Sequence, residues 1–326
     1  MTSITQLCND LYDALNGHAI KDSVVIKLCC SVPQHILVQV ALRYQAMTGC
    51  SLEQILTTDT ESNYRRILAR LCMRRQLQML NIIHEYIVTM SDKRIEPAIA
   101  VMHIGLVLCT ITKKQLYELV VAYKQQYFSD ITEDIYEILR KLSPNIPDSN
   151  AVSRIFISLL SCARDDDPFD DYGDVIEKRS QLLSANTSAS VVGVLVELLC
   201  GRSVASVKAL EGQGLNIKEL LTLVQQKGLI TGLAADLFLI VFYSCTDVHK
   251  MWAHMCNIAI ESKNSALLAD TILIGYDQST RLREEYAALK GTYDISVLQN
   301  VINGATHPDY EQIVFNALIE TGANLK

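Results

Sequence analysis

At 326 residues the chain exceeds one ordinary small domain, so two or more units, or a repeat array, are expected. Apolar residues make up 49% and charged residues 20%, a globular balance that excludes a disordered chain. A net charge of −7 argues against nucleic acid as a partner, because phosphate contacts need clustered Lys and Arg, and it opposes an anionic membrane unless a basic face or a bridging cation intervenes.

With only 6 Pro and 14 Gly, helices can run uninterrupted, and an all-α chain is predicted. In residues 4–16, Ile4, Leu7, Leu11 and Leu15 share one face, with Asn9, Asp13 and Asn16 turned away. Gly17 follows where a left-handed helix-ending residue is wanted. Ser23 or Asp22 can cap a second helix, "VVIKLCCSV", and Pro33 suits the first turn of a third, "PQHILVQVALRYQAM". Ser51 and Gln54 form a capping box for a fourth helix, and "NYRRILARLCMRR" gives a fifth. About 75 residues thus hold five short helices.

The theme then recurs. "ALRYQAMTGCSLEQIL" (41–56) lies on "VVAYKQQYFSDITEDI" (120–135) at an offset of 79, matching Tyr44 to Tyr123, Leu52 to Ile131 and Leu56 to Ile135. Residues 283–302 repeat it with Tyr286 and Ile295, and a weaker unit lies around 201–224. Four units are therefore expected: 1–76, 77–164 with an insertion at 143–150, 165–246 and 247–326.

The ten cysteines form no C-x-x-C pair and mostly sit in apolar runs, as buried reduced thiols do. His249 and His254 stand five apart, which is not zinc spacing. The N-terminus lacks the pattern of a secretory signal. The apolar stretches 97–111 and 229–245 fall short of the ~18 residues that span a bilayer. Each carries a polar residue, His103 or Asp236, so buried core helices are expected and any membrane contact is peripheral. "GQGLNI" (212–217) lacks the third Gly of a dinucleotide loop, and no G-x-S-x-G or P-loop occurs, so no enzyme and no small-molecule substrate is predicted.

Five helices per unit, four units, and a Tyr followed eight or nine residues later by Leu or Ile resemble the annexin core. That family carries a loop of pattern M-K-G-x-G-T between the first two helices of each repeat. An acidic residue follows 38 residues beyond the Thr, then a segment like S/T-G-D-F/Y-E. Here the loop reads Leu15-Asn16-Gly17-His18-Ala19-Ile20, thirty-eight residues separate Ile20 from Asp59, and Asn63-Tyr64 match D-F/Y. The departures from the loop pattern are Ala19 and Ile20, and the degraded loops and insertion are most similar to divergent protist annexins such as the alpha-giardins.

The resemblance implies a slightly curved all-α disc, cytoplasmic and peripheral at the inner face of the plasma membrane or on the cytoskeleton. It also implies calcium-dependent docking on acidic phospholipid. Carried over by position, the Ca2+ ligands are the carbonyls of Leu15, Gly17 and Ala19 and the carboxylate of Asp59. A left-handed Ala19 would add about 1–2 kcal/mol over Gly, lowering affinity about tenfold. The alternative is a plain turn with Asp59 solvated.

The other repeats are poorer. The second has "SDKRIEPA" (91–98), with Ile138 at the carboxylate position and Glu137 adjoining it. The third pairs "SANTSAS" (184–190) with Gln226, and the fourth pairs "SKNSAL" (262–267) with Ala305. Residues 165–174, with six Asp, read as a solvated linker or a loose cation collector. Arg66 and Arg70, one turn apart, suit either a phosphate or neighbouring acidic residues. An annexin-fold scaffold with little calcium dependence, bound to cytoskeletal proteins, is the second functional reading.

Overall fold

The computed structural model describes residues 3–16, 20–58, 63–92, 96–142, 148–161, 173–212 and 215–275. Among them run seventeen α-helices and no strand, so the all-α expectation holds. The chain folds as two compact units, one from residues 1–79 and 252–326, the other from 80–251.

In the first unit, α1 (Ile4–Leu15) starts at Ser3, whose hydroxyl accepts from the Gln6 N–H at 3.1 Å. It buries Leu7, Cys8, Leu11, Ala14 and Leu15, the 3.6-residue stripe of a one-faced helix. The second helix, α2 (Asp22–Cys30), corrects the capping expectation. Lys21 occupies the cap position with no side-chain bond, and Asp22 is already helical, its carboxylate engaged elsewhere. Pro33 likewise stands one residue before α3 (Gln34–Thr48), which ends at left-handed Gly49, φ 76°. Ser51 caps α4 (Leu52–Thr57), accepting from the Gln54 N–H at 3.1 Å. The fifth helix, α5 (Asn63–Leu71), is shorter than expected: it stops before Arg74, and Arg75 opens α6 (Arg75–Ser91).

The second unit is centred on α7 (Pro97–Thr110), α10 (Ser149–Leu160) and α15 (Gly232–Thr246), which pack on one another. Both long apolar stretches are thus core helices, and no helix among the described residues is long and apolar enough to cross a membrane. Gly105 permits the close approach of α7 and α15: a Cβ there would lie 2.7 Å from Leu237 Cδ2. Around this core run α8 (Lys113–Tyr127), α9 (Ile131–Leu142), α11 (Gly173–Ser184), α12 (Ser188–Val196), α13 (Val204–Gly212) and α14 (Ile217–Gln226). The chain then forms α16 (Val248–Glu261) and α17 (Ser265–Gly275), and α17 packs against α5 in the first unit.

The residues paired at an offset of 79 occupy matching environments. Tyr44 and Tyr123 are both 0% exposed, Leu52 and Ile131 both 0%, and Leu56 and Ile135 both 2%. Each full burial is worth about 1.5–3 kcal/mol, so the recurring pattern marks the apolar positions on which each helix set closes. Nine cysteines are free thiols, eight of them buried and Cys50 exposed, while Cys162 lies outside the described residues.

Candidate functional site

The candidate site joins two connections, the one between α1 and α2 and the one between α4 and α5. Leu15 is the buried last residue of α1. Gly17, Ala19 and Asp59 lie outside the described residues, as do Lys93, Arg94 and Ile95 of the second repeat, Ala305 of the fourth and residues 162–172 of the acidic linker.

At the base of the first connection, the Lys21 N–H donates to the Ala14 carbonyl at 3.0 Å, which ties the residue before α2 to the end of α1. Asn16 ends α1 with its N–H on the Tyr12 carbonyl at 2.9 Å. Its side-chain amide donates to the Tyr44 hydroxyl at 2.9 Å, tying the loop to α3. At the second connection, Thr58 Oγ1 donates to the Gln54 carbonyl at 3.0 Å and holds the end of α4.

A polar clamp links the two. The Tyr64 hydroxyl donates to Asp22 Oδ1 at 2.7 Å, and Arg65 Nη2 donates to the same oxygen at 3.0 Å. Arg65 Nε donates to the Tyr64 hydroxyl at 2.9 Å. The start of α5, just beyond Asp59, is thereby fastened to the start of α2, just beyond the loop. Burial, then the proton shared with Asp22, pushes the Tyr64 phenol up to about 12. Asp22 is committed to this clamp. The annexin-like match at Tyr64 pointed to this position. The role of Asp22 was missed, because an Asp at a helix start reads locally as a cap.

The basic stretch of α5 is resolved into ion pairs. Arg65 meets Asp22, Arg70 meets the buried Asp270 of α17, and Arg66 Nη2 lies 3.9 Å from the same Asp270 oxygen. In the second repeat, Ile138 is buried and Glu137 pairs with Lys141 at 2.6 Å. That hydrogen bond holds the Glu137 carboxyl below its ordinary range. In the third, Thr187 caps α12, accepting from the Ser190 N–H at 3.3 Å, and Gln226 is the last residue of α14. In the fourth, Lys263 is left-handed at φ 53°, and Asn264 Oδ1 accepts from the Leu267 N–H at 2.9 Å. These polar groups serve local capping and pairing. Among the described residues no three His, Cys, Asp or Glu side chains converge as metal ligands would.

No family model matches the sequence. Chimpanzee annexin A8 is 24% identical over 196 residues, 59% of this chain and 55% of that protein, so the match spans about half the length of this curated relative. A solved structure of an annexin A8 point mutant superposes with a TM-score of 0.75, at 18% identity, over 98% of this chain and 95% of that one. Calcium-bound alpha-14 giardin gives 0.73 at 14% identity, over 96% and 99%. Calcium-bound alpha-1 giardin gives 0.72 at 13%, over 98% and 99%. The chain has the fold that annexins and alpha-giardins share.

Proposed function

We propose that this annexin-fold chain is a divergent annexin that binds phospholipid membranes peripherally through calcium, as a binding protein and not an enzyme. Its first repeat holds the principal site. The ligands are the carbonyls of Leu15, Gly17 and Ala19 and the carboxylate of Asp59. One observation carries the reading. The Tyr64–Asp22–Arg65 clamp fastens the residues that follow the loop to those that follow Asp59, so the two halves of an oxygen donor set share one base.

The donor set suits a hard cation, which seeks six to eight oxygens and accepts backbone carbonyls. Calcium, when bound, supplies a positive charge that bridges this acidic chain to acidic headgroups. Three carbonyls and one carboxylate leave coordination positions for water or a lipid phosphate, so calcium and membrane each strengthen the binding of the other. The Lys21–Ala14 hydrogen bond and the clamp support this reading by joining the residues that flank the two connections, and Asp22, bonded to Tyr64 and Arg65, adds no competing ligand.

The capping and pairing roles of Thr187, Asn264 and Glu137 favour one dominant site over four equal ones. They also give weight to the second reading, an annexin-fold scaffold at the cytoskeleton with little calcium dependence. Co-sedimentation with phosphatidylserine vesicles at ~0.15 M salt, where exposed charges are screened beyond about 8 Å, separates the two. We expect pelleting in millimolar calcium that chelator strongly reduces and Asp59→Ala largely abolishes. Equal pelleting with calcium and with chelator, or none in either, would overturn the calcium reading.

A further inference from the structure

The outward stripe of α8 has no role in the site above. Lys114, Tyr117, Val121, Lys124 and Phe128 follow one another at spacings of three and four and so lie along one side of the helix and its end. Tyr117 is 71% exposed, Val121 39% and Phe128 92%. The opposite side, Leu116, Leu119 and Tyr123, is buried. Three apolar side chains in a row are therefore left in water beside two exposed lysines, with Glu118 on the flank.

Phe128 is the most telling of them. It adopts the left-handed conformation, φ 56°, with its N–H on the Lys124 carbonyl at 3.0 Å. At the offset of 79 the same place is held by Gly49, φ 76°, the residue type such a turn prefers. The second repeat thus carries a bulky aromatic where the backbone resists one, and its ring makes almost no packing contact to offset the strain. The turn is also rigid: Asp130 Oδ1 accepts from the Thr132 N–H at 2.8 Å, and the Ser129 hydroxyl donates to Asp134 at 2.6 Å. By the same offset, Lys114 and Lys124 replace His35 and Gln45 of the first repeat. Aromatic anchor and lysines come together in this repeat and not in its counterpart.

We propose that this stripe docks on an anionic phospholipid surface without calcium. Phe128 and Tyr117 would sit at headgroup depth, where aromatic rings prefer to lie, with the two ammonium groups on lipid phosphates. Charge selects the occupant, since a lysine stripe on a chain of net −7 is attracted to anionic surfaces in particular. Size selects against a second copy: three such side chains offer on the order of 400 Å², about half of what one partner contributes to a stable interface. The contact uses no residue of the calcium site.

The test is co-sedimentation in chelator at low ionic strength, with vesicles of phosphatidylserine and phosphatidylcholine and with phosphatidylcholine alone. Wild type should pellet with the anionic vesicles only. Phe128→Gly, which relieves the turn and so folds at least as well, should weaken that binding roughly tenfold. The pair Lys114→Glu and Lys124→Glu should abolish it. Asp59→Ala should leave it unchanged while losing the calcium-dependent increment, which keeps the two proposals separable. Absence of wild-type binding in chelator, or undiminished binding of Phe128→Gly, would overturn the proposal. So would sedimentation velocity without vesicles, if it showed a dimer that Phe128→Gly dissolves.

Discussion

Replacing Tyr64 by Phe removes one hydroxyl from the clamp at the base of the candidate calcium site and leaves the ring in place. The hydroxyl donates to Asp22 at 2.7 Å and accepts from Arg65 at 2.9 Å, so two hydrogen bonds to charged groups are lost. Such bonds are worth about 1.5–3 kcal/mol each. The Asp22 side chain is 18% exposed and that of Arg65 13%, and the 3.0 Å bond between them survives. Water reaches the freed groups, and the net cost falls to about 2 kcal/mol. With a urea dependence of ~2 kcal/mol/M, the unfolding midpoint of the unit containing residues 1–79 should drop by about 1 M. Asp22→Asn should cost nearly as much, and the double variant little more than either, because the three side chains act together.

The alkaline limb checks the same contact. The fold favours the neutral phenol, so its folded pKa lies above the unfolded value near 10. The stabilisation is complete below pH ~10 and is lost as pH rises through about 12, a loss that Tyr64→Phe should not show. Calcium-dependent pelleting should weaken severalfold in the variant although no ligand has been removed. A midpoint shift under ~0.2 M, with unchanged pelleting, would refute the view that the clamp holds the two connections together.

Two further outcomes follow from the buried polar groups. Asp270→Asn should destabilise the first unit by about 3–5 kcal/mol in urea denaturation, because it leaves the buried Arg70 guanidinium without its carboxylate, whereas Asp270→Leu with Arg70→Met should cost far less. Burial lowers the His84 pKa more than the nearby Asp134 raises it. The stability His84 contributes is therefore present above the unfolded value near 6.5 and lost as pH falls below it. His84→Phe, which keeps a ring over Tyr127 where the stack now stands at 3.5 Å, should shrink the drop in thermal midpoint between pH 7.5 and 5.5.

The helices were legible because their signals are local and repeated. The face of α1, the Ser51 cap of α4 and the apolar runs that became α7 and α15 are each written within one stretch of chain. What stayed illegible in the polar residues of the first unit has one cause. Asp22 reads as a cap until Tyr64, forty-two residues on, takes its carboxylate, and the arginines of α5 stay open between a phosphate and acidic neighbours until Asp270 arrives from α17. A bond between segments distant in sequence leaves no periodic trace. Of the candidate metal ligands only Leu15 falls among the described residues, so the site rests on spacing and on the clamp beside it, and Asp59 remains a proposal.

The offset of 79 separates what the fold requires from what each repeat is free to change. Tyr44 and Tyr123 are equally buried, yet their hydroxyls have different partners: one accepts from Asn16 at 2.9 Å, the other donates to Asp134 at 2.9 Å. Closing the core demands the ring, while the hydroxyl takes whatever partner its repeat supplies. One turn further on, Gly49 and Phe128 share a left-handed backbone, and there side-chain identity is almost unconstrained by packing. If fold alone governed such a position, glycine would serve best in both repeats, since it adopts that backbone without strain. Phe128 is therefore better explained by something outside the folded chain than by the chain itself, and that excess is what the vesicle assay in chelator measures.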